Sequence, residues 1–279
     1  MEVVLKFGQA VIYAIIAIAA MYGVKFGRKF LYIKNADHLI EEENNLALAF
    51  RQSGIYIGLA IAMFGAVIGP DQGFFKDVLE LGAYGILSAI LLTASLEISN
   101  RVVLPRINNN DAVKKNNIAV GLVEFGGCIA TGLIALGALS GTGPFLSTIV
   151  FFLMGQTALL IMVALYEYIT PFVIIKEVEK NNIAAGVLLA SMQIALSFII
   201  YRSIEGDFVS WEVDMITFVK SAVSGILLIA ILFSKPIDKL FLPNTTVAIE
   251  IERDKNAAAL LVVSSVKVAL AIIISGVVL

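Results

Sequence analysis

The chain has 279 residues, of which 59% are hydrophobic and 15% charged, and its mean hydropathy of +0.93 excludes an ordinary water-soluble domain. A formal charge of -2 leaves no basic excess to hold nucleic acid, and the sole cysteine, Cys128, cannot form an internal disulfide. One histidine beside one cysteine argues against a metal centre, and no nucleophile-base pair or phosphate loop points to an enzyme or a bound cofactor.

A helix needs about 20 apolar residues to cross a hydrocarbon core of roughly 30 Å. Eight stretches meet that length, near 5–24, 46–68, 75–97, 118–139, 146–168, 183–201, 214–234 and 257–279. Lys25, Arg28, Lys29 and Lys34 follow the first stretch, the reverse of a cleavable signal peptide, so it reads as a permanent helix. Loops after the odd-numbered spans carry fourteen of the 20 basic residues. The positive-inside rule puts those loops in the cytoplasm and both termini on the other side of a cell (inner) membrane.

The basic loops end in related phrases: Asn44-Asn45-Leu46-Ala47, Asn116-Asn117-Ile118-Ala119, Asn181-Asn182-Ile183-Ala184 and Lys255-Asn256-Ala257-Ala258. Aligned on Asn45, Asn117, Asn182 and Asn256, the chain divides into four units of about 70 residues: 1–69, 70–141, 142–206 and 207–279. Two spans per unit means that all four insert with the same polarity. Asparagine is among the best N-cap residues, which accounts for the shared position. Four capped N-termini at one face would also present their positive dipole ends to an anion.

Downstream of each aligned asparagine, small residues recur at offsets of 2, 9, 13 and 20 on one helix face: Ala47, Gly54, Gly58, Gly65; Ala119, Gly126, Ala130, Gly137; Ala184, Ser191, Ala195, then Arg202; and Ala258, Ser265, Ala269, Gly276. In lipid such faces let helix backbones approach closely. Each unit's second helix is therefore expected to pack along this stripe in a central bundle. The predicted fold is all-α: eight transmembrane helices as four parallel two-helix units about a pseudo-symmetric axis, second helices inside.

These asparagine phrases and the stripes behind them resemble the membrane proteins of the domain of unknown function 350 family, the YjfL-like proteins, over essentially the whole chain. The fourth unit departs most, with Asp254-Lys255-Asn256 in place of paired asparagines. The resemblance implies tandem two-span units and brings no catalytic set to transfer.

Ionisable groups inside spans are costly, which makes them the best functional pointers. Glu124 sits about 10 Å, and Lys267 about 16 Å, beyond the capped ends of their helices at 1.5 Å per residue. Glu124 is expected to pair with Arg51 or Lys267 and so fix the order of units. Alternatively Glu97, Glu124 and Glu167 bind or relay a monovalent cation or proton, with Arg51 or Lys267 as counter-charge. Gln52, Gln193 and Glu80 are further polar groups within spans. Apolar fragments of the basic loops, such as Phe30-Leu31-Tyr32-Ile33 and Pro171-Phe172-Val173-Ile174-Ile175, suggest first helices that run on along the inner leaflet until proline kinks or ends them.

Two function classes follow. One is an ion channel or ion-coupled transporter using the embedded carboxylates. The other is a non-transporting scaffold that organises lipid or recruits a cytoplasmic protein partner through its basic rim.

Overall fold

The computed structural model describes residues 2–31, 33–68, 73–105, 107–170, 173–232 and 235–277. In chain order these form α1 (Glu2–Leu31), α2 (Ala36–Glu41), α3 (Leu46–Ile68), α4 (Phe74–Val102), α5 (Asn109–Lys114), α6 (Ile118–Ser140), α7 (Phe145–Ile169), α8 (Ile174–Glu179), α9 (Ile183–Ile204), α10 (Trp211–Leu232), α11 (Lys235–Phe241), α12 (Val247–Glu252) and α13 (Ala257–Ser275). Hydrocarbon offers the backbone no hydrogen bonds, and a helix satisfies its own. The eight long helices fall on the eight expected spans, and among the described residues seven of them are long and apolar enough to cross a membrane. The other long helix, α10, has 22 residues. Tyr32, Asp71, Arg106, Pro171 and Phe172, and the last residues expected for the seventh and eighth spans, lie outside the described residues.

The helices α1 and α4 run on to Leu31 and Val102, past the ends expected for their spans. Separate short helices follow in the basic loops, and these turn their apolar residues into the protein: Leu39 of α2, Val113 of α5, Ile174 and Val178 of α8 and Ile251 of α12 are all buried. Burial of those side chains removes their apolar surface from water, which favours the folded-back loops.

The second helices α3, α6, α9 and α13 stand side by side in that order, parallel, with their capped ends together. The stripes account for the seams. A Cβ placed on Gly54 would lie 2.7 Å from Phe125 Cα, one on Gly121 2.6 Å from Ala47 Cα, and one on Gly186 2.8 Å from Ala119 Cα. Backbone thus meets backbone, and dispersion rather than exclusion of water holds these surfaces together. The stripe of each helix meets the opposite side of the next, so the contacts run head to tail. First helices fill the grooves: α4 lies against α3 and α6, α7 against α6 and α9, and α10 against α9 and α13. Most of α6 and α9 is buried, whereas α1 is largely exposed.

Candidate functional site

The first three basic loops reverse through an asparagine pair and the fourth through Lys255-Asn256. The residue before the cap is left-handed in all four units, with φ of 53° at Asn44, 58° at Asn116 and Asn181, and 50° at Lys255. Asparagine enters this region more readily than other side-chain-bearing residues. It ends the short helix, and the next asparagine caps the long one. Asn45 Oδ1 accepts from Leu48 N–H at 2.8 Å, Asn117 Oδ1 from Val120 N–H at 3.0 Å, Asn182 Oδ1 from Ala184 N–H at 3.2 Å and Asn256 Oδ1 from Ala259 N–H at 3.2 Å.

The same side chains tie neighbouring units. Asn45 Nδ2 donates to the carbonyls of Val113 (2.8 Å) and Lys114 (3.2 Å) in α5, Asn117 Nδ2 to those of Val178 and Glu179 in α8, and Asn182 Nδ2 to that of Ile251 in α12. In return, Asn116 Oδ1 accepts from Ala47 N–H at 3.0 Å and Asn181 Oδ1 from Ala119 N–H at 3.2 Å. Lys255 has no acceptor to offer Ala184 N–H, which falls back on its own cap. At one end of this ladder, burial works to raise Glu177, and hydrogen bonds from Lys180 and Asn182 outweigh it, leaving the carboxyl below its ordinary range.

Beneath the ladder, in the seam between the first two units, Arg51 and Glu124 are 1% and 2% exposed. Arg51 donates from Nε to Glu124 Oε2, from Nη2 to Glu124 Oε1 at 2.5 Å and from Nη1 to Asn110 Oδ1 at 2.7 Å; Asn109 Nδ2 adds a 3.3 Å bond to Glu124 Oε1. A bidentate pair with extra donors and acceptors is the form in which buried charge is tolerable. Lys267, 1% exposed, does not reach Glu124: its Nζ lies 2.7 Å from Asp238 Oδ1 of α11, within its own unit.

The three candidate carboxylates differ in setting. Glu97 is half-buried and receives Arg101 Nη2 at 2.8 Å, Glu124 is enclosed, and Glu167 is half-buried with Ile175 N–H 3.4 Å from its Oε1. Glu97 and Asn109 line one cleft of about 200 Å³ with Asn108 and Asn110, which brings Glu97 near the Glu124 cluster. Gln193 is buried and donates to the carbonyls of Val123 and Leu189, Gln52 donates to Tyr56 Oη at 2.6 Å, and Glu80 is half-buried in α4. Among the described residues no group of three metal-ligating side chains occurs.

A second cleft, about 230 Å³, opens where α1, α2 and α3 meet, and four cations line it: Lys25, Arg28, Lys29 and Arg51, with Asp37 and Glu41 as the acids. Lys25 Nζ lies 2.7 Å from Asp37 Oδ1 and Lys29 Nζ 3.7 Å from Asp37 Oδ2. The hydrogen bond from Lys25 holds the Asp37 carboxyl below the ordinary carboxylate range. The sequence alone counted these lysines as topology signals. Their convergence on Arg51 depends on α2 folding back, for which the asparagine pair was the only local sign. Asn109, Asn110 and Asp238 were likewise missed, because loop residues carry no periodicity to place them.

The family described as Domain of Unknown Function (DUF350) matches residues 2–139 and 141–278. A UPF0719 transmembrane protein of Aquifex aeolicus (strain VF5) is 23% identical over 168 residues, 59% of this chain and 60% of the relative, so the alignment spans less than two thirds of that protein. The UPF0719 transmembrane protein YshE of Bacillus subtilis (strain 168) is 26% identical over 130 residues, 46% of this chain and 96% of that one. No solved structure matches. With both halves of its length matched and its helices suited to a bilayer, the chain belongs to the DUF350 family of transmembrane proteins.

Proposed function

We propose that this integral membrane protein is a scaffold that gathers anionic lipid headgroups in the Lys25–Arg28–Lys29–Arg51 cleft, with its capped face in the cytoplasm and its termini opposite. The cleft carries the proposal: Lys25, Arg28 and Lys29 line it with Asp37 and Glu41, above an Arg51 already held by Glu124, in a space that fits a phosphate group, and basic residues at a span's end meet anionic headgroups. Seams in which backbone touches backbone leave little room for a wide water path, and the two most deeply embedded cations, Arg51 and Lys267, each have an acidic partner.

Vesicles of anionic and of zwitterionic lipid, titrated against the purified protein and its Lys25→Gln/Lys29→Gln variant, test it. At about 1 kcal/mol per basic residue near a charged leaflet, the variant should lose roughly tenfold or more of the preference for anionic lipid. Equal retention of both lipids by the wild type would overturn the reading. Accessibility of tags at the termini checks the sidedness.

One observation favours a cation path instead. Among the described residues Asn109 Oδ1 is buried without a hydrogen bond, beside Glu124 and in the cleft that Glu97 also lines. That pair of oxygens suits a monovalent cation or proton. Reconstituted protein showing a flux that Glu124→Gln abolishes would favour this path, and absence of flux under every gradient would dispose of it.

A further inference from the structure

The head-to-tail row has two unmatched ends, and they are the two halves of one contact. Along α13 the small stripe that the other units bury is exposed: Ala258, Ser265, Ala269 and Gly276 face outward. Along α3 the opposite side is exposed at Ser53, Ala60 and Phe64 and half-buried at Ala49. Those α3 positions lie at offsets of 4, 8, 15 and 19 from Asn45. The equivalent positions of the later helices receive the stripe of the helix before: Gly121 and Gly186 at offset 4 meet Ala47 and Ala119, Phe125 and Ala190 at offset 8 meet Gly54 and Gly126, and Gly132 at offset 15 meets Gly58.

The asparagine ladder is open at the same two ends. Asn256 caps α13, yet its Nδ2 has no acceptor among the described residues, and Ala258 N–H has none either. In the first unit Asn44 holds the left-handed conformation of Asn116 and Asn181, and its exposed Oδ1 accepts nothing from the described chain. Asn116 and Asn181 use that conformation to accept from the unit before them. Among the described residues no unit stands on that side of the first.

We infer that a second copy of this chain covers these surfaces, the α13 stripe of one copy seating on the exposed side of α3 of the next. Ala258 meets Ala49, Ser265 meets Ser53, and Ala269 lies near Ala60. Ala258 N–H donates to Asn44 Oδ1, and Asn256 Nδ2 to the last carbonyls of α2. The occupant is a copy of the chain because the contact is continuous with one that the chain already makes at its internal seams, in the same register and with the same hydrogen bonds. A heterologous contact of this kind closes into a ring when the rotation permits, and two copies are the smallest ring. The relative matched over 96% of its own length by 46% of this chain fits a row lengthened by adding equivalent units. This inference is independent of the lipid reading.

The test uses the full chain in its own membrane, with Cys128 replaced by alanine. One copy carries Ser53→Cys and a differently tagged copy Ser265→Cys. The equivalent positions within the chain are close: a Cβ on Gly126 would lie 2.8 Å from Ala190 Cβ, so helices parted slightly by two side chains bring them to the about 3.5–4.5 Å that a disulfide spans. Oxidation should join the tags only in the mixed membrane, and neither variant alone should give a like-with-like band. Ala269→Trp, at an exposed position, should abolish the band and reduce the particle to one folded chain, and Asn44→Ala should weaken the band. A particle of one wild-type chain in nanodiscs, absence of the mixed band, or like-with-like bands of equal strength would each overturn the inference.

Discussion

Arg51 and Glu124 stand 73 residues apart in the chain and meet through two hydrogen bonds inside the seam between the first two units. Neither side chain could be tolerated there alone, since removing one member of a buried pair leaves a charge without compensation.

Glu124→Leu and Arg51→Met should therefore each destabilise the protein by about 3 to 5 kcal/mol, while Arg51→Met/Glu124→Leu should recover most of that loss. Thermal unfolding of the four proteins in one detergent gives the coupling directly. Additive losses would mean that the pair contributes nothing to holding the units in order.

Substitutions at glycine should separate seams from lipid-facing positions. A Cβ at Gly132 would lie 2.7 Å from Gly58 Cα, and overpacking of this kind costs about 1 to 3 kcal/mol or more. Gly27 and Gly82 have open space around them, so Gly27→Ala and Gly82→Ala should be neutral or stabilise by up to about 1 kcal/mol through helix propensity. Melting temperatures of the three alanine variants provide the comparison.

Lys255→Asn should stabilise the chain. It supplies the acceptor that Ala184 N–H lacks from the fourth unit and eases a left-handed residue, together worth about 0.5 to 1.5 kcal/mol. In contrast, Asn117→Ala removes a cap and two bonds to α8 and should cost more than 1 kcal/mol. Denaturation of both variants beside wild type decides whether the ladder contributes as described.

On the face opposite the caps, Asp207 Oδ1 accepts from Thr142 Oγ1 at 2.6 Å and from Thr142 N–H at 3.0 Å, which holds its carboxyl below the usual range. A carboxylate depressed in the folded state stabilises above its unfolded pKa, near 3.9, and that contribution disappears as pH falls through the lower folded value. The difference in melting temperature between wild type and Asp207→Asn should be present at neutral pH and shrink below about pH 4. A difference that is constant with pH would mean that the Thr142 bonds do not favour the ionised form.

How much was legible in the sequence varies with the residue. The caps at Asn45, Asn117, Asn182 and Asn256 followed from position alone, because an N-cap acts within one turn of its own helix. Their second role, donating to the short helix of the next unit, needed α5, α8 and α12 to be folded in place. Arg202, which interrupts the third stripe, reads as an anomaly in the sequence; in the fold its Nε donates to Ser275 O at 3.2 Å, near the negative end of α13.

What the amino-acid order determined by itself is what local rules and the bilayer dictate: eight long helices, four units of equal polarity, their caps, and small residues on the packed sides. Those properties depend on residue type and spacing within about 20 residues, and hydrocarbon punishes any alternative. Only the tertiary structure decided that Arg51 rather than Lys267 answers Glu124, that Lys267 turns to Asp238, and that α13 leaves its stripe uncovered. Pairing of embedded charges depends on rotation and neighbour order among helices, and a side chain's place along its own helix does not encode which helix stands beside it.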